Sequence, residues 1–203
     1  MLSIGIETPD WTTIPAPTDG GATRHLSGAR LVSVGLLATD GSIVDLSALN
    51  GRVVVYAYPR TGRPGEANPD GWDLIPGARG CTPQSCGFRD HYAEIKSLGV
   101  QHLFGLSTQD SAWQQEAAER LHLPFPILSD EALQLTGAMY LPTFSVAGMT
   151  LLKRMALVIQ DGMIEHVFYP VFPPDRNAQE VVQWLKSHPA ASFDSQNEPG
   201  KTR

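Results

Sequence analysis

Residues 52–59, RVVVYAYP, constrain the fold most, because β-branched and aromatic side chains follow one another there almost without polar interruption. Such a run predicts a strand that is buried on both faces, and a strand of that kind needs a layer of other elements on each side. Pro59 ends the run, since proline cannot donate a hydrogen bond within a sheet. The stretch therefore predicts the central strand of a layered domain.

Further strands are predicted on both sides of this run. ARLVSVGLL, TDG and SIVDL indicate a strand, a turn and a second strand, and LVIQDGMIEHVFY indicates a hairpin around Asp161 and Gly162. VQHLFGLS, residues 100–107, follows the same strand pattern. A loop of more than 20 residues follows Pro59, and loops of that length in compact domains are usually functional.

Helical patterns alternate with these strands. Residues 82–98 carry an apolar face at helical spacing, and Gly99 follows as a stop signal. SAWQQEAAERLHL predicts a helix capped by Ser111 or Asp110, and DRNAQEVVQWLKSH predicts a last helix capped by Asp175. Alternating strands and helices with a late hairpin predict an α/β fold, in which helices flank a central mixed β-sheet.

Composition excludes several classes of function. The 203 residues include 42% hydrophobic ones, enough for a real core, and the net charge of −6 argues against a nucleic-acid-binding surface. No run of about 18 apolar residues predicts a membrane span. The first residues, MLSIGIETPDW, have no secretion-signal pattern. We therefore expect a cytoplasmic protein.

The chain is expected to hold one folded domain with two irregular ends. Residues 1–27 are rich in Thr, Pro, Gly and Asp and are interpreted as an N-terminal arm. Residues 28–189 form the predicted domain. Residues 190–203 are polar and are interpreted as a flexible tail.

The segment GARGCTPQSCGFRDH contains both cysteines of the chain, Cys81 and Cys86. Cys81 falls at the start of the predicted helix, where unpaired backbone N–H groups and the positive end of the helix dipole stabilise an anion such as a thiolate. Arg79 and Arg89 are close in sequence and add positive charge. Because the thiolate is the nucleophilic form of cysteine, Cys81 is placed to attack a substrate.

The spacing of the two cysteines favours a redox pair. In an intact helix their Cα atoms would be roughly 8 to 9 Å apart, whereas a disulfide needs about 7 Å or less. They can therefore bond only if the first turns unwind, which suits a redox switch. Two alternatives are weaker: an inert buried pair, and a metal site that includes His91, for which zinc sites usually have shorter cysteine spacing.

The string C-T-x-x-x-C-x-F-R-D, together with PFPILSD and KRMALVIQDGMI, resembles the peroxiredoxins, in particular the PrxQ or bacterioferritin comigratory protein type. The resemblance covers roughly residues 28–188. It implies a thioredoxin-like fold, a peroxidatic Cys81 and a resolving Cys86. It also implies that Arg154 polarises the thiolate and the peroxide, and that Pro59 shields the cysteine. Arg60 and Arg79 remain rivals of Arg154.

The chain departs from the family pattern before Cys81. Ala78 stands where the family has a threonine, and Pro59 precedes Cys81 by 22 positions instead of seven. An insertion of about 15 residues in the active-site loop explains both departures. Thr61 would then supply the threonine hydroxyl, and Thr82 is the second candidate.

The implied activity is a thiol-dependent peroxidase that reduces hydrogen peroxide and organic hydroperoxides. Its sulfenic acid would be resolved as an intrachain disulfide and recycled by thioredoxin or a similar dithiol, without a metal, flavin or haem. Two alternatives remain: a thioredoxin-like thiol–disulfide oxidoreductase, for which C-x-x-C would be the expected motif, and a non-enzymatic redox sensor. No nucleic-acid or membrane partner is expected, and the protein could be a monomer or a homodimer.

Overall fold

The structure is a computed structural model that describes residues 9–190. Its main feature is a seven-stranded sheet in the order β2-β1-β5-β4-β3-β8-β9, accompanied by a separate hairpin of β6 and β7. The strands are β1 (Gly35–Ala38), β2 (Ile43–Asp45), β3 (Arg52–Ala57), β4 (Val100–Ser107), β5 (Ile127–Ser129), β6 (Thr143–Val146), β7 (Met149–Leu152), β8 (Met155–Gln160) and β9 (Met163–Phe168).

Strand β3 lies near the middle of the sheet, and all six of its residues are buried. It runs parallel to β4 and antiparallel to β8. The pairing of β4 with β5 is parallel, whereas β1 with β5, β1 with β2 and β8 with β9 are antiparallel. The predicted mixed sheet and its doubly covered central strand are therefore confirmed.

Helices cover both faces of the sheet. They are α1 (Cys81–Asp90), α2 (Tyr92–Ser97), α3 (Ser111–Arg120), α4 (Gln134–Ala138) and α5 (Asn177–Ser187). Residues of α1, α2 and α5 pack with Val54 and Tyr56 on one face, and α4 packs with Leu26 and Val55 on the other. This arrangement confirms the predicted α/β fold. Among the described residues, no helix has both the length and the apolar character needed to cross a bilayer.

The single helix predicted over residues 82–98 is wrong in one respect, because two helices occupy this stretch. The backbone leaves the helical region at His91, with φ −95° and ψ 4°. Its ring Nδ1 lies 2.9 Å from the carbonyl oxygen of Gly87, so the side chain turns back onto α1. The chain resumes as α2, which ends at Ser97, and Gly99 follows with φ +90° as expected for a stop.

The cap predicted for the last helix is also wrong. Pro174–Arg176 form a 3-10 turn, and α5 then begins at Asn177 without a side-chain cap. The Asp175 Oδ2 atom instead accepts a hydrogen bond of 3.0 Å from the indole Nε1 of Trp11. Trp11 also packs edge-on against Phe172, with ring centroids 6.0 Å apart. The described part of the N-terminal segment is thus fastened beside the chain that leads into α5.

Candidate active site

Helix α1 begins at Cys81, directly after a glycine that turns the chain. Gly80 has φ +98°, a left-handed conformation that glycine adopts without strain. The first helical hydrogen bond runs from the backbone N–H of Gln84 to the carbonyl oxygen of Gly80, at 3.0 Å. The preceding N–H groups of the first turn have no partner within the helix, so the positive end of α1 lies at the sulfur atom.

Arg154 approaches the same sulfur from the chain just before β8. Its Nη2 atom donates a hydrogen bond to the Cys81 Sγ at 3.2 Å. The residue is 3% exposed, and within residues 9–190 no carboxylate forms an ion pair with it. Burying a cation is costly unless an anion or several hydrogen bonds compensate. The Cys81 sulfur is one of the acceptors that compensate this cation.

A network of neutral groups fixes the arginine. Nη2 also donates to the carbonyl oxygens of Gly77, Ala78 and Arg79, at 3.3, 3.3 and 3.0 Å. Nη1 donates to the side-chain oxygen of Gln84. The guanidinium therefore binds the loop before α1 and the first turn of α1 at once, and it holds the cysteine and its loop in one geometry.

Aromatic packing fixes α1 on the sheet. The ring of Phe88 stacks on that of Tyr56 in β3, with centroids 4.4 Å apart and an interplanar angle of 9°. The hydroxyl of Tyr56 donates a hydrogen bond to Ser85 Oγ at 3.1 Å. The doubly buried strand thus provides a rigid platform, and the helix start lies beyond its carboxyl end.

Cys86 lies on the same helix but in a different environment. Both cysteines are free and buried, and Cys86 is not among the residues that line the cavity above Cys81. Burial raises the pKa of the Cys86 thiol, although the nearby charge of Arg89 opposes this effect. The folded form therefore favours a protonated Cys86 that is held apart from the cavity.

The two threonines proposed for the hydroxyl role lie in different places. Thr61 is buried, and its hydroxyl donates to the side-chain oxygen of Gln109 at 3.2 Å. No hydrogen bond joins Thr61 to Cys81 within the described chain. Thr82 lines the same cavity as Cys81. Pro59 is buried two positions after the end of β3.

A cavity of about 390 Å³ opens in front of Cys81. The long loop between β3 and α1 contributes most of its wall. Trp72 in this loop is 5% exposed and packs against Phe144 of β6, with ring centroids 6.2 Å apart. The loop is therefore attached to the hairpin of β6 and β7, and it shapes the approach to the sulfur.

The two rival arginines also line the cavity, but neither takes the position of Arg154. Arg79 forms an exposed ion pair with Asp73 at 3.3 Å. Arg60 lies over the ring of Trp113, with its Cζ atom 4.7 Å from the centroid. Among the described residues, Arg154 is the one whose guanidinium donates to the Cys81 sulfur.

Sequence analysis missed two residues that support Arg154. Gln84 is completely buried, and its Nε2 atom donates to the Oδ1 atom of Asn177 at 2.9 Å. Asn177, the first residue of α5, is also completely buried. A polar residue three positions after the cysteine, on the inward face of α1, was the one available signal for Gln84. Nothing in the sequence pointed to Asn177.

Comparison with known proteins identifies the family. Residues 14–182 match the Redoxin family. The chain is 35% identical over 154 residues to peroxiredoxin Bcp of Escherichia coli, an alignment that covers 73% of this chain and 88% of the relative. The chain belongs to the PrxQ/Bcp-type peroxiredoxins. It is also 32% identical over 189 residues to the chloroplastic peroxiredoxin Q of Oryza sativa subsp. japonica, covering 89% of this chain and 77% of that one.

Solved structures agree on the fold of this peroxiredoxin. Peroxidoxin BcpB from Mycobacterium tuberculosis superimposes with a TM-score of 0.64 at 24% identity, covering 80% of this chain and 97% of that chain. The PrxQ C47S mutant of Xylella fastidiosa gives a TM-score of 0.64 at 19% identity, covering 80% and 96%. The thioredoxin-like fold and the peroxiredoxin family are thus confirmed, and the chain is a thiol-dependent peroxidase.

Proposed function

We propose that this peroxiredoxin reduces hydrogen peroxide and organic hydroperoxides through Cys81, and that Cys86 resolves the oxidised form as an intrachain disulfide. The observation that carries the proposal is the hydrogen bond of 3.2 Å from Arg154 to the Cys81 sulfur. A buried arginine that has no carboxylate partner within residues 9–190 and donates to a cysteine at a helix start stabilises a thiolate. It also stabilises the negative charge that develops during the attack.

In the first step, the Cys81 thiolate attacks the terminal oxygen of the hydroperoxide. A sulfur–oxygen bond forms and the oxygen–oxygen bond breaks. The sulfur loses two electrons and becomes a sulfenic acid, and the leaving oxygen takes a proton and departs as an alcohol, or as water when the substrate is hydrogen peroxide. Arg154 and the free N–H groups of α1 stabilise the charge that spreads from the sulfur to both oxygens.

In the second step, the Cys86 sulfur attacks the Cys81 sulfenic acid. A disulfide forms, and the hydroxyl group leaves with a proton as water. Both cysteines belong to α1 and are free, and their helical spacing is too long for a disulfide. The first turns of α1 therefore unwind before this step, which also releases Cys86 from its buried position.

An external dithiol closes the cycle. One of its thiolates attacks the disulfide, its second thiol completes the exchange, and the two electrons reduce Cys81 and Cys86 to thiols. Thioredoxin or a similar protein is the expected reductant. We place the cycle in the cytoplasm, where such dithiols are kept reduced.

Two variants test the proposal in a peroxide-consumption assay with thioredoxin and its reductase. Cys81→Ser should be inactive. Cys86→Ser should consume about one equivalent of peroxide and then stop, because its sulfenic acid has no internal partner. A simple disulfide oxidoreductase would instead show no peroxide consumption in the wild type. Normal turnover by Cys81→Ser would disprove the assignment of the nucleophile.

A further inference from the structure

The cavity in front of Cys81 is unusually cationic for a chain with a net charge of −6. Among the described residues that line it, four are arginines and a single one, Glu66, is acidic. The arginines are Arg60, Arg63, Arg79 and Arg120. Hydrogen peroxide and simple alkyl hydroperoxides are neutral, so the proposed chemistry does not by itself require this charge.

Two of these arginines already have carboxylate partners. Arg79 pairs with Asp73 at 3.3 Å, and Arg120 pairs with Glu116 at 2.7 Å. Arg60 and Arg63 form no ion pair within residues 9–190. These two guanidinium groups carry the positive charge of the cavity that nothing in the described chain neutralises.

The indole ring of Trp113 holds both groups in place. The Cζ atoms of Arg60 and Arg63 lie 4.7 and 4.0 Å from its centroid. Its Nε1 atom donates a hydrogen bond of 2.8 Å to the carbonyl oxygen of Thr61 between them. Two like charges are thereby held on one indole ring, where they repel each other. Stacking leaves the edges of the guanidinium groups free to donate hydrogen bonds.

The Nε atom of Arg63 is a further donor that supports an anion-binding site here. It is shielded from solvent and has no hydrogen-bond partner among the described residues. A buried donor without a partner is costly. An anion bound in the cavity that both arginines line would satisfy donors of this kind and relieve the repulsion. Planar guanidinium groups match carboxylates in two-point hydrogen bonding.

We propose that Arg60 and Arg63 form an anion-binding subsite, and that the preferred substrates are short alkyl hydroperoxides that carry a carboxylate. The carboxylate binds the two arginines while the peroxide group reaches Cys81 in the same cavity. A cavity of about 390 Å³ is at the small end of ligand sites, which favours a short substrate. This inference rests on the proposed role of Cys81 and adds a substrate class to it.

A matched pair of substrates tests the subsite. The pair is a short tertiary alkyl hydroperoxide with a terminal carboxylate, and the methyl ester of the same compound, which differs in charge. We expect the wild type to show a kcat/KM for the carboxylate at least about tenfold above that for the ester. This ratio should fall toward one in Arg63→Gln and in Arg60→Gln, and also in the wild type as salt is raised.

Arg30→Gln is the matched control, because Arg30 is exposed beside the Asp161 turn, at the other end of β8 from Arg154. Its ratio should equal that of the wild type. A wild-type ratio near one, or a ratio that survives in both Arg60→Gln and Arg63→Gln, would overturn the subsite. The salt series decides the question even if Arg63→Gln fails to fold. Peroxide consumption by Cys81→Ser would instead overturn the proposed function, whatever the ratio.

Discussion

Arg154 and Cys81 are 73 positions apart in the sequence, yet the Nη2 atom of Arg154 lies 3.2 Å from the Cys81 sulfur. The same atom donates to three carbonyl oxygens of the loop that leads into α1. One buried cation thus contacts both the sulfur and the chain before it. The site can be tested by separating the effects of these two contacts.

Replacing Arg154 should reduce activity strongly. Arg154→Gln removes the donor that faces the sulfur, and we expect kcat/KM for hydrogen peroxide to fall by about 100-fold or more. The melting temperature should also fall, because the carbonyl oxygens of residues 77–79 lose a donor. Arg154→Lys keeps the charge but cannot reach all of these partners, so its activity should be intermediate. Arg30→Gln serves as the control, and activity near the wild-type level in Arg154→Gln would contradict the assignment.

The glycine before Cys81 is expected to tolerate no side chain. A Cβ atom at Gly80 would lie 2.6 Å from the Pro174 Cγ and 2.7 Å from the Trp11 Cη2, at a φ of +98°. Strain and overpacking together predict that Gly80→Ala lowers the free energy of unfolding by roughly 2 to 4 kcal/mol, and that peroxidase activity falls with it. Denaturant unfolding measures this loss.

Gly137→Ala is the matched control for that experiment. Gly137 lies in α4, has no positive φ, and has no atom within 4 Å of the position of a Cβ. Alanine there should be neutral or stabilising by up to about 1 kcal/mol. Equal effects of the two substitutions would show that Gly80 does not fix the start of α1.

The two threonine candidates should separate in their effects. Thr82 lines the cavity, so we expect its hydroxyl to contact the peroxide. Thr82→Val should therefore lower kcat/KM by about tenfold with little change in melting temperature. Thr61 is buried and bonded to Gln109. Thr61→Val should therefore cost about 1 kcal/mol in the free energy of unfolding and affect activity less. The reverse pattern would assign the hydroxyl to Thr61.

The raised pKa of Cys86 predicts a pH dependence of stability in the reduced protein. Because burial favours the neutral thiol, the folded pKa lies above the unfolded one. The stabilisation is complete below the unfolded value, about 8.5, and is lost as pH rises through the folded value. The melting temperature should fall between about pH 8.5 and 10 more steeply in the wild type than in Cys86→Ser.

The pH range from about 8.5 to 10 lies below the range in which the buried tyrosines ionise. Burial also raises the pKa of Tyr56 and of Tyr58, so their contribution is lost only above the usual tyrosine value of about 10. The measurement requires a reductant, because a disulfide would remove the thiol. Parallel curves for the wild type and Cys86→Ser would show that ionisation of Cys86 is not coupled to folding.

Local patterns predicted most of the fold. The run over residues 52–59, the strand over 100–107 and the hairpin at Asp161 all depend on nearby residues, and each is present in the structure. Asp110 caps α3 as expected, with its carboxylate accepting from the N–H of Trp113. The break at His91 was missed, because a side chain folding back on the helix leaves no mark in hydrophobic periodicity.

The supporting parts of the site were harder to predict, since they depend on distant contacts. Asp175 has the pattern of a helix cap, but its carboxylate accepts a hydrogen bond from Trp11, which lies 164 positions away. Gln84 and Asn177 form a hydrogen bond, although they are 93 positions apart in the sequence. Arg154 was available only through the family resemblance. Arg60 and Arg63 are brought together by the ring of Trp113, which belongs to α3, beyond the next strand in the sequence.

The most direct test of the central claim is mass spectrometry of peptides from protein treated with one equivalent of hydrogen peroxide. In the wild type we predict a mass loss of two hydrogens and a link between Cys81 and Cys86. In Cys86→Ser we predict one added oxygen, trapped on Cys81 by a sulfenic-acid reagent. Oxidation confined to Cys86, or an unmodified Cys81 in both proteins after the peroxide has been consumed, would contradict the account.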